Sequence, residues 1–278
     1  MSFIKWIKRI GELLSSLVFP RRCVVCDEIL SPEEEKAWIH KNCESKLYPI
    51  TGAVCMQCGR PVRREDAAYK KEAYLEFYNS YEYCEACKSF ADSAKNFPNK
   101  SEKRIMKENT SIAQGKALYL YRDEIKQTMY RFKYNNKREY AKFFALQAVE
   151  RYGDWIKESR IQAIVPVPMY SKKERRRGYN QAQCFAKELS VLTGIPVEDR
   201  IVLRVRDTPA LKGLNRQERK NCLKNAFHEG KSVVQYKRIL IVDDIYTTGV
   251  TAQAVAEILK KKNVSRVYSM SICIGKDM

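Results

Sequence analysis

The chain has 278 residues, of which 52 are Lys or Arg and 33 are Asp or Glu, so its formal net charge at pH 7 is +19. This length favours one substantial core with a smaller second unit. The charge predicts an acidic partner, namely a polyanion, an anionic membrane surface or a phosphorylated small molecule; a solvated basic surface that aids solubility is the alternative. No run of about 18 apolar residues occurs, which excludes a transmembrane segment by hydropathy.

The first segment, residues 1–23, carries an apolar stripe at helical spacing. Lys5, Lys8, Arg9 and Glu12 interrupt the stripe, and no small-residue cleavage site follows it, so the segment does not match a signal peptide. We therefore expect a cytoplasmic chain that begins with a helix. The apolar face packs on the protein itself or, as an alternative, lies on a membrane surface.

Seven of the ten cysteines fall between residues 23 and 87. Six of the seven form C-x-x-C pairs, and His40 precedes the seventh at the same spacing. Because Zn²⁺ takes four N or S ligands in tetrahedral geometry, four pairs predict two structural zinc ions. The predicted ligands are Cys23, Cys26, His40, Cys43, Cys55, Cys58, Cys84 and Cys87. A redox-active pair and an iron–sulfur cluster are the alternatives.

The segment between the last two Cys pairs, residues 59–83, is rich in aromatic and basic side chains. Several aromatic residues follow a three-four rhythm, which favours packing in a helix, and base stacking with nucleic acid is the alternative. The other three cysteines, Cys184, Cys222 and Cys273, are interpreted as small buried residues.

Beyond about residue 110, short apolar runs alternate with helical patterns. The runs at 161–168, 237–244 and 265–273 predict strands buried on both faces, and the segments 180–194 and 249–262 predict helices. Alternating strands and helices predict an α/β fold in which helices flank a parallel sheet. In such sheets, ligands bind at the carboxyl ends of the strands.

Two adjacent carboxylates, Asp243 and Asp244, end the second predicted strand. The loop TTGVT, residues 247–251, follows and leads into a helix, so backbone N–H groups and the positive helix end converge on one point. Gly249 permits close backbone approach there, and threonine hydroxyls add donors for a phosphate monoester. Since carboxylates repel phosphate, we expect the acid pair to accept hydrogen bonds from vicinal sugar hydroxyls. The loop therefore predicts a site for a ribose 5-phosphate.

The strand, the acid pair and the Thr-Gly-x-Thr loop resemble the motif with which type I phosphoribosyltransferases bind phosphoribosyl pyrophosphate (PRPP). With the Cys pairs ahead of it, nearly the whole chain resembles the ComF family of competence-associated proteins, which includes ComFC and GntX-type members. VPVP at 165–168 and RRRGYNQA at 175–182 also match. So does a further series, Arg204, Arg206, Thr208, Leu214, Arg216, Arg219, Asn221 and Phe227.

The resemblance implies a zinc-binding domain with its helix over residues 1–92, followed by a type I phosphoribosyltransferase-like domain over 93–278. It implies that the catalytic pair, Asp243 and Asp244, holds the ribose hydroxyls. The implied PRPP-binding residues are Asp243, Asp244, Ile245, Tyr246, Thr247, Thr248, Gly249, Val250 and Thr251. A loop after VPVP would face pyrophosphate with Lys172, Lys173, Arg175, Arg176 and Arg177, and magnesium would accompany PRPP; a solvated loop is the alternative. Lys133 is a candidate lid residue, or a member of a basic helix face.

Two departures from related sequences concern the acceptor. Purine salvage relatives usually carry an acid where this chain has Thr247, and a hydroxyl does not act as a general base near neutral pH, which disfavours purine transfer. Many relatives have Gln where this chain has Leu211. Three functions therefore stay open: phosphoribosyl transfer to an unidentified acceptor, a non-catalytic adapter for single-stranded DNA in DNA uptake, and PRPP as a regulatory ligand.

Overall fold

The computed structural model describes residues 20–31, 33–34, 36–62, 84, 87, 111–208, 216–223, 225–230 and 235–275. The predicted N-terminal stripe, the aromatic segment at 63–83 and the positions of Leu211 and Leu214 lie outside these residues. The side chains of Arg216 and Arg219 lie outside them as well. Within the described part, no helix combines the length and the apolar character needed to cross a membrane.

The described elements alternate strand and helix, as the apolar runs predict. The strands are β1 (Gln114–Leu120), β2 (Ala163–Pro166), β3 (Val202–Arg204), β4 (Phe227–Glu229), β5 (Arg238–Tyr246) and β6 (Arg266–Ile274). The helices are α1 (Asp123–Tyr134), α2 (Tyr140–Glu158), α3 (Ser171–Arg177), α4 (Gln181–Thr193), α5 (Arg216–Leu223) and α6 (Val250–Lys261), and a 3-10 helix spans Lys41–Leu47. The three predicted strands are β2, β5 and β6, and the two predicted helices are α4 and α6.

Four parallel strands form the central sheet in the order β1-β6-β5-β2, which confirms the predicted α/β class. Strands β3 and β4 form a separate antiparallel pair. Side chains of β5 alternate between two apolar layers: Leu240 and Val242 face the layer that holds α1, α2 and α4, whereas Ile239 and Ile241 face the layer that holds α6. Burial on both faces explains why β5 is a continuous apolar run.

The register of the sheet brings the acid pair to its carboxyl edge. Strand β2 ends with Pro166 opposite Val242, whereas β5 continues to Tyr246 beside β6. Asp243 and Asp244 therefore lie just past the end of β2, where its side of β5 is no longer covered by a strand. This is the edge at which parallel α/β sheets bind ligands.

The cysteine-rich segment packs on the sheet through β1. The Ile50 N–H donates to the Leu118 carbonyl at 3.0 Å, and the Leu120 N–H donates to the Tyr48 carbonyl at 3.1 Å, so residues 48–50 cover the outer edge of β1. At the opposite edge, residues 196–198 pair with β2. Each edge strand of the sheet thus makes two further backbone hydrogen bonds, to residues 48–50 at β1 and to residues 196–198 at β2.

Candidate functional site

The acid pair at the end of β5 is held by a lysine from α1. The Lys133 Nζ lies 2.7 Å from Asp244 Oδ2, and both side chains keep a little exposure, 19% and 17%. The Asp244 N–H donates to Asp243 Oδ1 at 2.8 Å, which orients the first carboxylate. The pair is therefore ion-paired at the rim of the sheet and not sealed inside the core.

The two carboxyl groups have opposite protonation preferences. Burial, together with the adjacent Asp244 charge, raises the pKa of Asp243 to about 8. Burial also disfavours ionised Asp244, but the Lys133 ammonium outweighs it and holds the pKa of Asp244 below its usual value. When two carboxyl groups lie close together, the negative charge of one raises the pKa of the other. Asp244 is therefore ionised and paired with Lys133, whereas Asp243 takes up a proton readily.

The loop after β5 has the geometry expected of an anion site. Gly249 is the N-cap of the 12-residue helix α6 and has φ +76°. A Cβ at Gly249 would lie 2.1 Å from the Tyr246 phenol oxygen, so the Tyr246 ring packs against the loop and would have to move for any larger residue. The Gln253 N–H donates to the Gly249 carbonyl at 2.8 Å and begins α6. The first N–H groups of the helix and the positive end of its dipole thus meet at this loop.

The predicted pyrophosphate loop is a helix, α3, whose basic side chains divide into two groups. Lys172, Arg175 and Arg176 are exposed, whereas Lys173 and Arg177 are partly buried. The Arg177 charge contributes to the lowered pKa of Asp244, and burial followed by the charge of Arg204 lowers the pKa of Lys173. Of the five predicted basic residues, Arg177 therefore acts on the acid pair, whereas Lys173 lies near Arg204 and Arg177.

The RGYNQ segment fixes where Arg177 lies. Gly178 ends α3 with φ +89°, and the Asn180 side chain caps α4 by accepting from the Ala182 N–H. Asn180 Nδ2 also donates to the Val167 carbonyl at 3.0 Å, which ties the turn to the end of β2. Arg177 Nη1 donates to Gln181 Oε1 at 2.8 Å. The motif is thus a structural link between α3, α4 and the sheet.

Arg177 also contacts an exposed aromatic pair on α1. Its guanidinium lies 4.9 Å from the Tyr134 ring centroid, and its Nη2 donates to the Tyr134 hydroxyl at 3.2 Å. The Tyr134 ring is 5.0 Å from that of Tyr130, and both side chains are exposed.

Arg204, at the end of β3, lies near the acid pair, and the sequence pattern includes it only in the series of residues that resembles the family. Burial lowers its pKa, and the nearby Asp243 and Asp207 charges partly restore it. Its Nη2 donates to Thr208 Oγ1, and its guanidinium lies 5.3 Å from the Phe227 ring centroid. A partly buried cation thus lies within electrostatic range of Asp243, whereas Lys133 contacts Asp244 directly.

Three of the predicted PRPP-binding residues, Ile245, Tyr246 and Val250, also pack against the core. Ile245 packs against the apolar layer of α1, α2 and α4, and Val250 packs against the layer of α6. Thr247, Thr248 and Thr251 are partly buried along the loop.

The structure groups the predicted metal ligands into two clusters. The first cluster contains Cys23, Cys26, His40 and Cys43, the second contains Cys55, Cys58, Cys84 and Cys87, and in each all ligand atoms lie within 4.8 Å of one another. His40 is among them, as its spacing predicts. The three remaining cysteines lie outside both clusters: Cys273 is buried, and Cys184 and Cys222 are partly buried.

The donor sets fit Zn²⁺. Sulfur ligands at about 2.3 Å from a tetrahedral ion lie roughly 3.8 Å apart, and Cys58 Sγ and Cys84 Sγ are 3.6 Å apart. In the first cluster His40 Nδ1 lies 3.3 Å from Cys26 Sγ, while Nε2 lies 3.2 Å from the Ile29 carbonyl. A proton on Nε2 would donate to that carbonyl and leave Nδ1 for the ion, which is the usual arrangement of a zinc-binding histidine.

Two family descriptions match the chain. Residues 14–88 match the double zinc ribbon domain, and residues 176–277 match the phosphoribosyl transferase domain. The first covers both cysteine clusters, and the second covers α4, the acid pair and the glycine loop.

Three named relatives are similar to this chain over different shares of their length. The chain is 40% identical to Competence protein F of Haemophilus influenzae over 38% of this chain and 47% of that protein. It is 34% identical to DNA utilization protein YhgH of Escherichia coli over 40% of this chain and 48% of that protein. It therefore spans about half the length of these two relatives. Similarity to Competence protein ComFC of Bacillus subtilis is lower, at 23% identity, but covers 90% of this chain and 93% of that protein.

Among solved structures, the chain aligns with adenine phosphoribosyltransferase of Saccharomyces cerevisiae at 16% identity. The TM-score is 0.30, over 46% of this chain and 68% of that one, and a likeness of this size carries no argument.

Proposed function

Because this chain belongs to the ComF family, with a phosphoribosyltransferase domain behind a double zinc ribbon, we propose that it binds PRPP at the end of β5 and acts in DNA uptake. The DNA-uptake role comes from its relatives, whose names refer to competence and DNA utilization. A cytoplasmic location goes with this proposal and remains a prediction.

One observation supports PRPP binding above the others. The acid pair, its Lys133 partner and the Gly249 loop occupy a single edge of the sheet, and all of these groups except the lysine lie within residues 243–251. The loop offers N–H donors to a 5-phosphate, and the acid pair offers acceptors to sugar hydroxyls. A sugar phosphate needs both kinds of group, donors for its ester and acceptors for its hydroxyls.

In this proposal the cations around the acid pair have separate tasks. Lys133 keeps Asp244 ionised and oriented, so that its second oxygen accepts a ribose hydroxyl. Lys173 and Arg177 neutralise the pyrophosphate when its bond to the anomeric carbon breaks and the acceptor bonds to that carbon. Magnesium, when bound with PRPP, would add positive charge to the leaving group. Thr247 gives no general base, so the acceptor must lose its proton to another group.

Calorimetric titration with PRPP and magnesium tests the proposal. We expect the wild type to bind and the double variant Asp243→Asn, Asp244→Asn to lose binding. In the variant, an amide NH₂ group replaces one oxygen of each carboxylate, and that oxygen can no longer accept a hydrogen bond from a ribose hydroxyl. Gly249→Ala should also lose at least about tenfold in affinity, because the new Cβ displaces Tyr246 and the loop. Its matched control is Gly194→Ala, which has a similar φ of +73° but no atom within 4 Å of the added Cβ.

The result that would overturn PRPP binding is a wild type that releases no heat with PRPP at any concentration tested. Equal affinities for Gly249→Ala and Gly194→Ala would show that the loop does not hold the phosphate. Pyrophosphate release in the presence of candidate bases and single-stranded DNA then separates an enzyme from a protein that PRPP only regulates.

A non-catalytic adapter for single-stranded DNA is the second candidate, and the division of α3 favours it. Lys172, Arg175 and Arg176 are exposed to solvent, on a chain of net charge +19. Replacing the three by Ala should weaken DNA binding and flatten its salt dependence, because fewer counterions are released. PRPP affinity should stay within about twofold, since these side chains lie outside the site. An unchanged salt slope would contradict this role for α3.

A further inference from the structure

Arg60, beside the second zinc cluster, contacts the loop after β5. This loop, residues 247–251, is the proposed phosphate-binding loop and is called the phosphate loop below. Arg60 follows Cys58 and Gly59 in the chain, and its side chain is almost fully buried. Arg60 Nη2 donates to the Thr247 carbonyl at 2.8 Å, across 187 residues of sequence. The cysteine-rich segment therefore supplies a charged donor to the backbone of the loop.

The cluster holds Arg60 in a fixed place. The Cys55 N–H donates to the Arg60 carbonyl at 2.6 Å, and the Gly59 N–H donates to the Cys55 carbonyl at 2.9 Å, which closes the turn around the ligands. Gly59 has φ +77°, and a Cβ there would lie 2.8 Å from the Gly115 carbonyl oxygen of β1. The turn is thus pressed against the sheet, and the Arg60 backbone moves only if the turn does.

The contact at Thr247 determines the direction of the next amide. In a trans peptide the C=O of one residue and the N–H of the next point in opposite directions. With the Thr247 carbonyl directed at Arg60, the Thr248 N–H is directed away from the zinc cluster. The Thr248 N–H is one of the donors that the loop offers to a phosphate.

We infer that Arg60 is a positioning residue for the phosphate loop, so that the second zinc cluster forms part of the phosphoribosyl site. This inference rests on the proposed PRPP binding. Loss of the donor frees the Thr247–Thr248 peptide to rotate, and the loop then presents its N–H groups less often in the binding direction. A charge-assisted hydrogen bond to a carbonyl is strong enough for this purpose.

The test compares Arg60→Ala with Arg60→Lys and with Arg22→Ala. Arg22 is the control because it also adjoins a zinc ligand, Cys23, but donates to a carbonyl in its own segment. Its Nη1 lies 2.8 Å from the Asp27 carbonyl, in the turn around the first zinc cluster, which we call the first knuckle; the turn around the second cluster is the second knuckle. We expect Arg60→Ala to weaken PRPP–magnesium binding about tenfold or more, Arg60→Lys to recover most of the affinity, and Arg22→Ala to bind like wild type. Zinc content should stay at two per chain in all three. Wild-type affinity in Arg60→Ala would overturn the inference.

Amide hydrogen exchange of the unliganded protein tests the positioning role of Arg60 separately from PRPP binding. Arg60→Ala should speed amide exchange at residues 247–250 and leave that of β6 unchanged, whereas Arg22→Ala should change neither. If wild type fails to bind PRPP but the exchange result holds, the proposed ligand is wrong and the positioning role stands. Unchanged exchange in Arg60→Ala would refute the positioning role whatever the ligand.

Discussion

The two zinc clusters differ in what they touch. The first cluster contacts helix α1: Thr128 Oγ1 and Arg131 Nη2 both donate to the Val24 carbonyl, at 2.9 Å and 3.2 Å. Asp27, in the same knuckle, accepts from Tyr140 at 3.0 Å and pairs with Lys137 at 2.9 Å. The second cluster contacts strand β1 and, through Arg60, the loop after β5.

This difference shows that the site is supported from two sides. The first cluster holds the helix that carries Lys133, and the second holds the loop that carries Gly249. The acid pair lies on β5, a central strand of the sheet that pairs with β2 and β6. The zinc segment is therefore a support for the site, and each cluster is expected to affect a different part of it.

Removing one ligand from each cluster should have the largest effect. Cys26→Ser and Cys58→Ser should each lower the zinc content from two to one and cost at least about 3 kcal/mol, because metal binding contributes to folding. Only Cys58→Ser should raise hydrogen exchange at residues 247–250, since Arg60 belongs to the second knuckle. Elemental analysis, urea unfolding and exchange measure the three quantities. Equal exchange in both variants would mean that the clusters act as one unit.

Displacing the second knuckle without removing a ligand should have the next largest effect. Gly59→Ala forces its Cβ to within 2.8 Å of the Gly115 oxygen at a positive φ, whereas Gly52→Ala has φ +80° and no neighbour within 4 Å. We expect Gly52→Ala to cost about 1 kcal/mol through backbone strain and Gly59→Ala about 3 kcal/mol through strain plus overpacking. Urea unfolding gives both values. A difference below about 0.5 kcal/mol would contradict tight docking on β1.

On the other side of the site, Lys133→Met should cost about 2 kcal/mol at pH 7. It leaves Asp244 without its cation, and the cost is below that of a fully buried pair because both side chains keep some exposure. Lys133 lowers the pKa of Asp244, so its contribution is present above the unfolded pKa and is lost as the pH falls through the lower folded pKa. Unfolding at pH 7 and at low pH measures this. The same loss at both pH values would mean that Lys133 acts through packing alone.

The pH dependence of ligand binding should show the smallest effect. The pKa of Asp243 is raised to about 8 by burial and by Asp244, so the stability it contributes is complete below pH about 4 and is lost as the pH rises through 8. Ribose hydroxyls donate more strongly to the ionised form. Affinity for ribose 5-phosphate without magnesium should therefore rise by up to about tenfold from pH 7 to pH 9, and Asp243→Asn should flatten the profile. A rise that persists in Asp243→Asn would assign it to another group.

The parts of the fold with a strong local pattern could be predicted from the sequence. Strand β5 is apolar on both faces, and its neighbours β2 and β6 are similar, so their burial follows from composition. Strand β1 was not predicted, because Lys116 interrupts the apolar run of its seven residues and its pairing depends on β6. Strands β3 and β4 have three residues each, too few for a period to be visible.

The parts of the candidate site whose residues lie close together in the sequence could be predicted. The acid pair, the glycine loop and the Cys pairs are local in sequence, and the structure brings the members of each together. The α3 residues were predicted as a loop although SKKERRR contains good helix formers and ends at Gly178. The contacts of Lys133 and Arg60 were not predictable, since they join residues 111 and 187 positions apart.

The backbone pairing of residues 48–50 with β1 has a consequence for the sheet as a separate unit. A version shortened to begin after the zinc segment would leave the outer N–H and C=O groups of β1 open to any extended chain. Two such copies would present matching unpaired strands to each other, and self-association would compete with folding. The zinc segment thus also protects its neighbour from aggregation.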